Sequence, residues 1–333
     1  MRVILDLPWQ VSFLALGTIW GCSFLFIKLG LQSFTPVDVA FGRLAIGATV
    51  LLVIARLTGT SLPRKRSTWR HLAVVALLFC SIPFTLFAYG ETHVSSILAG
   101  IINSATPLAT LAVVLVAFPD EGVTRKRIAG LILGFAGVLV ALGVWDGLAG
   151  GELTGALACA AAVCCYGIAF PYTRRHLVAT GDGPIALATG QVLLGALFLV
   201  PVVAGTTLLG AGPVVTPLAT STIVGMLALG GLGSGIAYIL NTRIVMAAGG
   251  TVASSVTYIT PLVAVVVGIA FLGEQLSWHE PVGGLIVLLG VAVAQGRVRL
   301  TFRRHSIARD AAARRLAEGA RVRAAARVEL DPP

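Results

Sequence analysis

The sequence predicts an all-α integral membrane protein, with ten transmembrane helices arranged as two inverted five-helix repeats. Three observations carry that expectation. Hydrophobic residues make up 57% of the 333 positions and charged residues only 11%, with a mean hydropathy of +0.94. A soluble domain carries about 25% charged residues, so most of this chain is solvated by lipid. The apolar residues also fall into runs long enough to cross a bilayer, which needs about 20 residues per helix. Finally, one stretch occurs twice: AGIINSATPLATLAVVLVAF from Ala99 to Phe118, and ASSVTYITPLVAVVVGIAF from Ala253 to Phe271.

In chain order the runs are Trp9–Leu31, Val37–Ile54, Trp69–Tyr89, Ser95–Phe118, Ile128–Trp145, Leu153–Tyr172, Ile185–Ala204, Pro217–Leu240, Thr251–Leu272 and Pro281–Ala294. Barrel strands would be about ten residues long and alternate in polarity. These runs are longer and apolar on all sides, so they read as helices. The first begins too near the N-terminus for a removable signal, and no small-residue cleavage pattern follows it.

Charge sets the orientation. All the Lys and Arg except Lys28 and Arg43 lie before the first run, in or flanking the connections that follow the even-numbered runs, or in the tail. Those connections share one side of a ten-span zigzag, so the positive-inside rule makes both termini cytoplasmic. The net charge of +10 thus follows from topology, and no nucleic-acid partner is called for. The expected partners are a small-molecule substrate and the lipid bilayer, with a homodimer as an open arrangement. No cofactor is expected.

The duplicated stretch extends further. Each copy runs into an acidic residue, Glu121 in FPDE and Glu274 in FLGE, and then into a Gly-punctuated run, GLILGFAGV or GGLIVLLGV. An internal repeat governs the fold. Five spans per half is odd, so the second copy crosses in the opposite sense, an arrangement of transporters with a central site between rocking halves. The expected units are residues 1–148, residues 149–297 and a basic cytoplasmic tail, 298–333. Trp20-Gly21 and Lys28 align with Tyr166-Gly167 and Arg174, and Gly42-Arg43 falls opposite Gly190-Gln191.

These features together resemble the EamA-type transporters of the drug/metabolite transporter superfamily, over roughly residues 9–297. The residues that carry the resemblance are Trp20-Gly21 with Lys28, Arg43, and the two Thr-Pro-Leu helices with Glu121 and Glu274. The resemblance implies a carrier of the bacterial inner membrane that exports small metabolites such as amino acids. Pro119-Asp120 replaces the Leu-Gly of the second copy, so that turn departs from the pattern.

The substrate pathway is expected at the two breaks. Pro107 and Pro261 lack an N–H, so the carbonyls of Asn103 and Thr257 lose their helical partners. In hydrocarbon an orphan carbonyl costs several kcal/mol, and paired breaks near the midplane point to the site in this architecture. The alternative is that Thr106 and Thr260 cap the carbonyls and the prolines only bend the helices. Arg43, inside the second run, costs about 2.5–3.5 kcal/mol there, and could grip a substrate carboxylate through two parallel hydrogen bonds. Its alternatives are snorkelling or a pair with Asp38, at poor helical spacing. Trp20, Tyr166 and Gln191 are further pathway candidates. Lys28 is a candidate too, although interface snorkelling suits it better. The glycines of the fifth and tenth runs read as helix packing. Those around Ser234, with Ser81 and Pro83 opposite, read as looser segments.

Enzyme readings lack support. The five histidines and five cysteines make no metal spacing, and no nucleophile elbow or phosphate loop occurs. The expected function is export of a small polar, amino-acid-like metabolite by alternating access. A multidrug exporter of lipophilic cations is the alternative, weakened by two cations near the pathway and by no carboxylate at mid-depth. A membrane scaffold or lipid-modifying enzyme is more remote. Glu91 and His93 are the nearest titratable groups.

Overall fold

The computed structural model describes residues 8–117, 124–146, 150–210 and 219–295. Glu121, Pro119-Asp120 and the basic tail lie outside them. The described residues form helices at every expected run. These are α1 (Trp9–Leu31), α2 (Pro36–Leu57), α3 (Arg66–Glu91), α4 (Ser96–Val116), α6 (Gly151–Thr180), α7 (Pro184–Leu208), α8 (Thr220–Ala248) and α9 (Gly250–Leu272). Two shorter helices complete the order, α5 (Arg125–Ala141) and α10 (His279–Ala294).

Eight of them, α1–α4 and α6–α9, are long and apolar enough to cross a membrane. The other two, expected as full spans, have 17 and 16 residues, or about 25 Å at 1.5 Å per residue. That is short of the roughly 30 Å hydrocarbon core. Elsewhere helices outrun the apolar patches that announce them. α8 carries Asn241 and Thr242, both buried, and ends at Ala248 rather than Leu240. Hydropathy marks where lipid could sit, while backbone hydrogen bonding continues through polar residues that find protein partners.

Helix starts follow local chemistry. Thr35 precedes Pro36 and accepts from the Asp38 amide at 3.3 Å, while Ser95 accepts from the Leu98 amide at 3.0 Å to begin α4. Each satisfies an N-terminal donor that the helix leaves unpaired. Large apolar side chains such as Val53, Ile132, Phe135, Leu227 and Val266 remain more than half exposed. On membrane helices these are lipid-facing surface.

Packing comes in matched pairs. α3 lies against α6, and α8 against α1. α4 also packs on α6, and α9 on α1. α2 meets α7, α4 meets α9, and α5 meets α10. The α5–α10 contact is the closest. A Cβ on Gly130 would stand 2.5 Å from the Gly290 carbonyl oxygen, and one on Gly137 would stand 2.6 Å from the Val287 nitrogen. Small residues let backbones approach where no hydrophobic force drives association, as the sequence implies.

Two helices loosen in their middles. α3 is π-helical over Leu77–Ser81 and α8 over Gly231–Ile236, while α6 has its own π turn near its end, at Thr173–Leu177. Both broken helices carry their proline just past the irregularity. α4 is interrupted between Asn103 and Thr106, and α9 passes through a 3-10 turn at Ser255–Tyr258.

Candidate functional site

The chain closes around a central cavity to which α1, α2, α3, α4, α6, α8 and α9 contribute. Five of the residues singled out in sequence meet there: Trp20, Arg43, Asn103, Tyr166 and Thr257. Phe79, Phe84, Phe87, Phe170 and Tyr238 form much of the remaining wall. The open space measures about 40 Å³, room for a few water molecules.

Arg43 is 4% exposed, so it does not snorkel. Its Nε donates to Ser234 Oγ at 3.1 Å, and its guanidinium carbon lies 3.5 Å from the centroid of the Phe84 ring. A hydrogen bond from a charged donor is worth about 1.5–3 kcal/mol and a desolvated cation–π contact about 2 kcal/mol. Together they offset the roughly 2.5–3.5 kcal/mol of placing the charge there. Asp38 is not its partner, since that carboxylate accepts from Thr35 Oγ1 at 2.6 Å. The Ser234 bond uses one guanidinium N–H of five.

The π-helical segments of α3 and α8 anchor two rings of the aromatic wall. A π turn shifts the ladder and frees a carbonyl, and in each helix an aromatic side chain takes it up. Tyr238 OH donates to Phe79 O at 2.7 Å, and Trp20 Nε1 donates to Gly233 O at 3.2 Å. Phe79 and Gly233 occupy equivalent positions of the two halves. The glycines after Trp20 and Tyr166 let their helices seat. Gly21 would place a Cβ 2.5 Å from Val263 Cβ, and Gly167 one 2.8 Å from Ala109.

The two proline breaks need correcting in one respect. The carbonyls freed by Pro107 and Pro261 are not orphans. Thr106 Oγ1 donates to Asn103 O and Thr260 Oγ1 to Thr257 O, each at 2.7 Å. A threonine three residues on reaches back to such a carbonyl, so the capping alternative holds for the backbone. The side chains of Asn103 and Thr257 nonetheless reach the cavity wall. Asn103 Nδ2 also donates to Thr260 Oγ1 at 3.4 Å, joining α4 to α9.

Four expected pathway residues lie elsewhere. Pro107 lines a different space of about 510 Å³, with Lys126, Thr251 and Gln295 among its neighbours. Pro261 is buried in α9. Gln191 sits behind the wall, donating to Cys80 Sγ at 3.6 Å. Lys28 neither snorkels nor faces the cavity. Its Nζ donates to Glu91 O at 2.6 Å and Val94 O at 2.8 Å, capping the end of α3. Arg174 does the same for α8, donating to Val245 O and Met246 O. The aligned cations are thus helix caps, which favour positive charge at C-termini.

Sequence reasoning missed Phe79, Phe84, Phe87, Tyr238 and Ser234.

Membrane-crossing helices around a partly polar, aromatic-walled cavity define a multi-pass membrane protein of the carrier class. The EamA-like transporter family model matches the chain twice, at residues 7–143 and 153–295, and the chain belongs to that family. It is 27% identical to the uncharacterized inner membrane transporter YedA of Escherichia coli, over 89% of this chain and 94% of YedA. It is 26% identical to the uncharacterized transporter YcxC of Bacillus subtilis, over 85% and 91%. A shorter match, 31% identical over 37% of this chain and 40% of the relative, is to protein PagO of Salmonella typhimurium. A solved crystal structure shares the fold at TM-score 0.61 and 20% identity, over 87% of this chain and 97% of its own. The chain is a membrane transporter rather than an enzyme.

Proposed function

We propose that the protein exports a small polar, amino-acid-like metabolite across the bacterial inner membrane by alternating access. The observation that carries this reading is Arg43, buried in an aromatic wall beside Asn103 and Thr257 from the two broken helices. The guanidinium suits a carboxylate, the two polar side chains suit an amine or hydroxyl, and the rings suit an apolar side chain. A lipophilic cation would gain from the rings but would meet Arg43 as a like charge.

The central space is far smaller than an amino acid, so a substrate enters only as the walls part. The matched packing of α1–α5 and α6–α10 supports two five-helix units, near residues 1–148 and 149–297, that cross in opposite senses and rock about the cavity. In this reading α5 and α10 complete ten spans, and both termini and the basic tail, 298–333, are cytoplasmic. No nucleic acid takes part. The chain could work singly or as a homodimer in the bilayer.

Overexpression against a panel of toxic amino acids, their analogues and cationic dyes tests the substrate class. Resistance to amino-acid analogues is expected; resistance confined to dyes would replace this reading with the multidrug one. In the same cells, a single cysteine at Ser67 should resist an impermeant reagent, and its labelling would reverse the orientation.

A further inference from the structure

We propose that Glu91 is a proton-binding site linked to opening of the end of the protein where α3 meets α4. The proposal rests on the transporter reading above and adds the coupling ion.

Glu91 ends α3, one turn past Phe87, whose ring lines the cavity. It is 1% exposed, and neither carboxylate oxygen has a hydrogen-bond partner. Charged or titratable groups approach from four directions: Lys28 on α1, Arg43 on α2, Cys159 on α6 and Glu274 beyond α9. All three charged groups are engaged elsewhere. Lys28 donates to the Glu91 and Val94 backbone carbonyls, and Arg43 donates to Ser234. Glu274 accepts from Ser96 N and Ser96 Oγ, both at 2.8 Å, and from Ile97 N at 3.2 Å. The nearby His93 is bonded to Thr92 and Tyr89.

An ionised carboxylate with no donor in a site closed to water is costly, and such a group sheds its charge by holding a proton. A metal cation is a poor alternative occupant beside the Lys28 ammonium. The surroundings also form a seal. Glu274 holds the start of α4, and Glu280 accepts from Ser95 Oγ at 3.2 Å and Ser277 N at 2.9 Å. Parting these contacts would admit water. The Glu91 carboxyl would then pass its proton to water, leaving a carboxylate beside Lys28, and closure would require the reverse. One proton is therefore taken up per closure, and acid favours the closed form. The equivalent position in the second half is Val245, which cannot titrate.

The test is infrared difference spectroscopy on the full chain in lipid bilayers, comparing wild type with Glu91→Gln. A neutral carboxylic-acid band is expected at neutral pH in wild type and should be lost in the variant. Glu91→Asp should shift the band rather than remove it, which serves if Glu91→Gln fails to fold. Identical carboxylic-acid regions in wild type and the variants would overturn the site. With a substrate from the panel above, wild-type transport should follow an imposed pH gradient. Transport that ignores both pH and gradient would overturn the coupling. A Glu91 band in a protein that moves no panel substrate would support the site while sinking the substrate reading.

Discussion

The two halves share their backbone devices and differ in their chemistry. Thr106 and Thr260 cap the carbonyls that prolines free, and Lys28 and Arg174 cap the ends of α3 and α8. Tyr238 and Trp20 satisfy the carbonyls of equivalent residues in the π-helical segments of α3 and α8. At two buried charged residues the match fails. Arg43 stands opposite Gln191, and Glu91 opposite Val245. Duplication supplies a scaffold that bends at matching places, and the proposed function puts substrate recognition at a position where the copies diverged.

That contrast can be broken most sharply at Arg43. Arg43→Gln should reduce transport to background at normal membrane levels. Arg43→Lys should cut it about tenfold or more, the worth of one lost charge-assisted hydrogen bond. Gln191→Leu should be far milder; an equal loss would mean that both halves feed the site. A smaller effect is expected at the caps. Thr106→Val and Thr260→Val should each lower stability by about 1–3 kcal/mol, the cost of an unsatisfied buried acceptor, read as thermal unfolding in detergent. Adding Pro107→Ala to Thr106→Val restores an N–H near Asn103 O and should recover part of the loss. Unequal costs in the two halves would weaken the symmetry. The smallest effect belongs to Lys28→Gln, about 1 kcal/mol for a half-buried cation at a helix end, with exposed Arg174→Gln costing less. A transport defect in Lys28→Gln without lost stability would return Lys28 to the pathway.

Much of this was legible in the sequence because each device has a residue signature. Composition and the repeated Thr-Pro stretch suffice for the membrane fold and for both broken helices. Trp20, Arg43, Asn103, Tyr166 and Thr257 reach one cavity because polar or amphipathic residues in apolar runs need partners, which lipid does not supply. The same logic misplaced Lys28 and Gln191, whose partners are a helix end and a thiol. The aromatic wall stayed hidden for another reason. In a helix apolar on all sides, a phenylalanine facing lipid and one facing a cavity look alike, and the π turns shift the phase by which faces are read.

Those π turns bear on ancestry. A π turn amounts to one residue added to an α-helix. Leu77–Ser81 and the start of Gly231–Ile236 sit at the same distance from their Thr-Pro pairs. Two unrelated additions would have no reason to coincide. A matching offset is what copying one bent helix would leave, and each bend takes up a hydrogen bond from a cavity-lining ring, Tyr238 or Trp20.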